Sequence, residues 1–168
     1  MHSTASVRLA PAGRRHERLH ASIADLHDSS VTLRALPVWC LLLLLAVLNG
    51  GVRDIWLTPR LGDPSARAIS TLLLCGLIFL ATWLTIGWIR PTSNGTALQV
   101  GALWVVLTLA FEFGVGHYGF GKPWLELLAD YNLSRGRIWI AVLVVTLLAP
   151  LWTARLRGLI LAGSGGVP

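Results

Sequence analysis

Residues 68–89 run for 22 positions without a charged side chain. A hydrocarbon core about 30 Å thick takes about 20 helical residues to cross, so this stretch alone directs the chain towards a bilayer. Trp83 and Trp88 lie towards its end, with Trp88 placed as an interfacial aromatic anchor. Three more apolar runs follow the same logic. Residues 36–52 are densest at 41–45, and Pro37 sits in the opening turn, where a missing N–H costs little. That run is slightly short, so Arg34 or Arg53 is expected to snorkel towards an interface. Residues 97–115 form the third run and 138–154 the fourth, with Pro150 kinking or ending it. No β pattern competes, and no internal repeat is evident. The expectation is an all-α fold, an integral membrane four-helix bundle over 35–158. It lies between a disordered or peripheral N-terminal tail (1–34) and a short C-terminal tail (159–168).

The connectors carry the polar residues. In 1–31, Ser, Ala, Arg, His and Asp mix without a sustained apolar face. The scattered His2, His16, His20 and His27 read as tail residues rather than a metal-binding tract. Residues 14–26 could form a short basic amphipathic helix on a membrane surface. Between the second and third spans, Arg90-Pro91-Thr92-Ser93-Asn94-Gly95-Thr96 reads as a tight turn, Pro stopping one helix and Gly permitting the reversal. Between the third and fourth, Trp124, Leu127, Leu128 and Tyr131 repeat at helical spacing, so 123–131 is expected to be a short interfacial helix.

Of 168 residues, 54% are hydrophobic and 13% charged, against about a quarter charged in soluble domains. The net charge of +6 flanks apolar segments, which points to topology and anionic headgroups rather than to nucleic acid. Cys40 and Cys75 fall inside apolar segments and read as small buried hydrophobes, with neither a disulfide framework nor a thiol metal site. The glycines at 114, 116, 119 and 121 resemble no phosphate loop and read as an irregular helix exit. No cofactor is implied. The N-terminal tail, second loop and C-terminus together hold eight basic residues, and the first and third loops six. The positive-inside rule then puts both termini in the cytoplasm.

One acid lies within a span, in Phe111-Glu112-Phe113-Gly114-Val115-Gly116-His117-Tyr118. A charge at mid-bilayer costs a few kcal/mol (roughly 3 on insertion scales) and so calls for an inward-facing position and a partner. Ala97, Gly101 and Thr108 share the Glu112 face, a stripe that would let a neighbouring helix approach closely. The topology brings Arg53, Asp54, Arg60, Asp130, Arg135, Arg137 and His117 to the same end as Glu112. One reading is an ion pair between Glu112 and Arg53, Arg60 or Arg137 that fixes helix register. The sharper reading makes Glu112 and His117 catalytic candidates, a proton relay or metal ligands. Against a metal, they are five residues apart, about 140° around a regular helix, and a third ligand would have to come from Asp54, Asp63 or Asp130.

Two stretches carry a resemblance. One is Asn49-Gly50-Gly51-Val52-Arg53-Asp54 with Leu57-Thr58-Pro59-Arg60-Leu61-Gly62. The other runs from Phe111-Glu112-Phe113 through His117, then Leu127-Leu128-Ala129-Asp130-Tyr131-Asn132-Leu133 and Arg135-Gly136-Arg137-Ile138-Trp139. Together they resemble a family of small, functionally uncharacterised bacterial four-span membrane proteins, over residues 36–154. The resemblance implies a bacterial inner-membrane location and a four-helix unit, and it supplies no activity. The expected function is a non-enzymatic accessory, scaffold or assembly protein whose partners are the lipid bilayer, further copies of itself or another membrane protein. The alternatives are an oligomeric transporter or proton-linked carrier using Glu112, and a membrane enzyme acting on a lipid or quinone headgroup.

Overall fold

The fold comes from a computed structural model that describes residues 12–119, 121, 123 and 139–160, with side chains from Ser29 onward. The chain divides into two units, one up to Ser30 and the other from Val31 on. Helix α1 spans Ala12–Val52. Residues 12–34 of the stretch expected as disordered or peripheral are helical, and residues 14–26, read as a short helix, lie within α1. The physical reason is composition: Arg, Glu, Leu and Ala are good helix formers, and no Gly or Pro interrupts 14–36.

α1 also runs on where its apolar run ends. A π-helical turn, Arg53–Leu57, and a short α2, Thr58–Leu61, continue the rod. Gly62, at φ 75 and ψ 161, breaks it, and α3 begins at the next residue, Asp63–Ile89. Charged side chains do not end a helix, because its backbone groups are satisfied internally wherever water begins. A residue in positive-φ conformation does end it, and glycine takes that conformation without strain.

The second reversal differs from expectation in its detail. Arg90 itself takes the left-handed conformation, at φ 54, and its N–H bonds back to the Ile86 carbonyl at 2.9 Å. Gly95 is not the reversing residue; it lies in the first turn of α4, Asn94–Gly114. Ser93 caps that helix, its Oγ accepting from the Thr96 N–H at 3.0 Å. A second π-helical turn, Val115–Gly119, extends α4 through the glycine-rich exit. Helix α5, Trp139–Leu156, passes through Pro150 rather than ending there. The expected interfacial helix from Trp124 on lies outside the described residues.

Inward positions recur at helical spacing. Val31, Ala35, Val38, Leu42 and Asn49 line one face of α1, and Ala66, Ser70, Leu74, Ile78, Ala81 and Ile86 one face of α3. α5 packs against both α3 and α4. The buried hydroxyls of Thr82, Thr146 and Thr153 bond to carbonyls of their own helices, at 2.7–2.8 Å, so they enter the core already satisfied. The opposite faces are apolar too: Leu72, Leu80, Leu84 and Val106 are exposed. Cys40, expected to be buried, is exposed and Cys75 half-buried. Where both faces of a helix are apolar, an apolar residue has no reason to turn inward. Among the described residues there is no strand, and four helices are long and apolar enough to cross a membrane: Ser29–Leu61, Asp63–Ile89, Asn94–Gly119 and Trp139–Leu156.

Candidate functional site

The third apolar helix holds the polar stripe, and the structure puts it against neighbours. At Gly101 a Cβ would overlap the Leu147 carbonyl of α5, so the α4 and α5 backbones touch there. Ala97, one turn before, is fully buried. One turn on from Trp104, Thr108 Oγ accepts from the Trp39 indole N–H of α1 at 3.2 Å. One further turn on, Glu112 Oε2 accepts from the Trp139 indole N–H, at the start of α5, at 3.1 Å. Trp104, fully buried beside this stripe, donates to the Ala35 carbonyl of α1 at 2.9 Å. Thus α4 is tied to α1 and α5 by three indole bonds and one close backbone approach.

Glu112 is half-buried, as is His117 in the following π turn. A π turn, with its i→i+5 bonding, holds more residues per turn than an α-helix. It therefore rotates His117 back towards the Glu112 face, relative to a regular helix. The His117 ring meets Tyr118 edge-on at 4.9 Å.

Two of the three arginines read as partners for Glu112, Arg53 and Arg60, bond within their own segment. Arg53 pairs with the neighbouring Asp54 at 2.9 Å. Arg60 donates to the Trp56 carbonyl at 3.0 Å, and its guanidinium lies over the Trp56 ring, 4.8 Å from the centroid. Arg67 pairs with Asp63 at 2.8 Å, one turn away on α3. Asp130, Arg135 and Arg137 lie outside the described residues. Among the described residues no three His, Cys, Asp or Glu side chains gather as a metal site would need.

The Trp139 indole is a partner of Glu112 that the sequence reading did not name. An indole N–H is a donor that a desolvated carboxylate accepts readily. The sequence reading also missed the buried Asn49, whose Nδ2 donates to the Ser70 carbonyl at 3.1 Å, while its Oδ1 has no partner. The signal was present: an Asn within an apolar helix must find a partner.

The other end of the bundle is chemically different. There, among the described residues, Arg34 of α1, Arg90, and Arg155 and Arg157 at the end of α5 bond to neutral oxygens: the carbonyls of Trp88, Gly87 and Trp83, and the Asn94 side chain. No family model matches this chain, and no curated protein or solved structure is significantly similar to it.

Proposed function

We propose that the chain is a multi-pass protein of a bacterial inner membrane that acts as a scaffold or accessory subunit rather than as an enzyme. The observation that supports this reading is the bond between Glu112 and Trp139. The acid within the third span holds two helices in register, and Thr108, on the same stripe, does likewise with Trp39. Polar groups in an apolar solvent favour association because the alternative is an unsatisfied group in hydrocarbon. The exposed apolar faces of the helices are then lipid-facing, and some of them serve contact with further copies or with another membrane protein. Bacterial origin rests on the resemblance described above. The end that holds Arg34, Arg90, Arg155 and Arg157 faces the cytoplasm under the positive-inside rule, which puts both termini there.

Glu112→Gln tests the assignment, since an amide oxygen still accepts the Trp139 N–H. The expected result is a variant with wild-type oligomeric state and an unchanged proton conductance in proteoliposomes. A variant that folds normally but loses a proton-dependent flux shown by the wild type would replace the scaffold reading with the carrier one.

A further inference from the structure

Three arginines from three parts of the chain converge on the last two turns of α3. Arg157 donates to the Trp83 carbonyl at 2.8 Å, and its guanidinium lies 5.9 Å from the centroid of the Trp83 ring. It rests on Gly87, where a Cβ would stand 3.2 Å from its Nη1. Arg90 donates to the Gly87 carbonyl and Arg34 to the Trp88 carbonyl, both at 3.2 Å. Trp83 and Gly87 are one turn apart, so their carbonyls line one face of α3, with that of Trp88 the next around.

Part of this is helix capping, since cations suit the negative end of a helix dipole. Capping does not balance the charge. The dipole end is worth about half a negative charge, against three guanidinium groups. All three arginines are exposed, and each uses one nitrogen of a many-donor fork on a carbonyl. Among the described side chains, the acids are Asp54, Asp63 and Glu112. Every one falls in a segment belonging to the opposite end, where Arg53 and Arg67 have carboxylates beside them. The last turns of α3 and α5 also carry exposed apolar side chains: Leu84 and Trp88 of α3, and Trp152 of α5.

We propose that Arg34, Arg90 and Arg157 form a binding site for the phosphodiester of an anionic membrane lipid. Guanidinium forks match phosphate oxygens in pairs and remain charged at any physiological pH. Trp88 and Trp152 occupy the interfacial level at which a headgroup sits. Leu84, a turn further into the apolar span, continues that surface towards the acyl chains. A free phosphate would use the guanidinium groups and gain nothing from these apolar side chains, which is why the lipid is the ligand. The inference rests on the helices spanning a membrane and not on the scaffold role.

The experiment uses the full chain, recovered from the membrane fraction and kept in mild detergent, with bound lipid measured by native mass spectrometry. Recovery in that fraction checks the spanning reading separately. The probes are phosphatidylglycerol and phosphatidylcholine of the same acyl chains, with inorganic phosphate as competitor. Wild type is expected to retain phosphatidylglycerol in preference to phosphatidylcholine, by about tenfold in affinity, the scale of one charge-assisted bond. Arg34→Gln and Arg157→Gln should each remove most of that preference. Arg155→Gln is the control: it deletes a charge at the same end, from a side chain bonded to Asn94 Oδ1 at 3.0 Å. It should change affinity by less than about twofold, because it is outside the cluster. Equal retention of the two lipids by wild type overturns the proposal. So does an Arg155→Gln loss as large as that of Arg157→Gln, which would mean diffuse surface charge. Full displacement by inorganic phosphate reassigns the site to a free anion. If Arg157→Gln fails to fold, Arg157→Lys replaces it: a partial loss is expected, and no loss overturns the forked geometry.

Discussion

The contact between Gly101 and the Leu147 carbonyl makes the sharpest test of the packing. Gly101→Ala adds one methyl group where a backbone oxygen already sits, and a backbone cannot rotate away as a side chain can. The α4 and α5 helices must separate. Overpacking of this kind costs about 1–3 kcal/mol, and a backbone obstacle belongs at the upper end. A radial gap of about 1 Å forfeits up to roughly half of each dispersion contact along the seam, which includes the fully buried Ala97, Trp104 and Ala149. The intrinsic helix preference of Ala over Gly returns at most about 1 kcal/mol, and less here because the helices persist in a membrane-denatured state. The net expectation is a destabilisation of about 2 kcal/mol, roughly thirtyfold in the folded-to-unfolded ratio. Unfolding by titration with sodium dodecyl sulfate in mixed micelles, followed by near-ultraviolet circular dichroism, reads it directly. Gly76→Ala, at a position with open space where the Cβ would stand, is the matched control and should stay within about 0.5 kcal/mol of wild type. Equal stability of the two variants would falsify the close approach, because the residue change is the same and only the neighbour differs.

Further outcomes follow from the buried polar bonds. Trp104→Phe removes the bond to the Ala35 carbonyl and leaves a small void in the core, and should cost about 1–3 kcal/mol in the same titration. Asn49→Leu should lie within about 1 kcal/mol of wild type or above it, because the unsatisfied Oδ1 leaves together with the donor. A loss beyond about 2 kcal/mol there would show that Oδ1 has a partner in the folded protein.

The parts legible in the sequence were those governed by solvent. Four apolar runs appear as four long apolar helices, because a run that length has few other ways to satisfy its backbone. The Ala97–Gly101–Thr108–Glu112 stripe was legible as well, since helical periodicity alone groups it, and it meets Leu147, Trp39 and Trp139. Helix ends were less legible. Arg53 and Asp54 look like a boundary, yet the rod continues to Leu61, because lipid thickness and helix length are set by different forces. Partners were least legible. Arg34, Arg90 and Arg157 are distant in sequence, and their convergence exists only once the helices are antiparallel. The lack of acids in the second loop and after Leu156 was visible in the sequence, as a difference between loops rather than a motif.

The reversal at Gly62 has a practical consequence for anyone handling this protein. A protease needs a length of chain it can draw out into an extended strand, and between Leu61 and Asp63 only one residue lies outside a helix. Nicking, tag insertion and linker scanning should therefore fail at the first connector. There the chain behaves as a hinge pin fastening two rods, and a displacement of the outer end of one is passed to the other with no slack to absorb it.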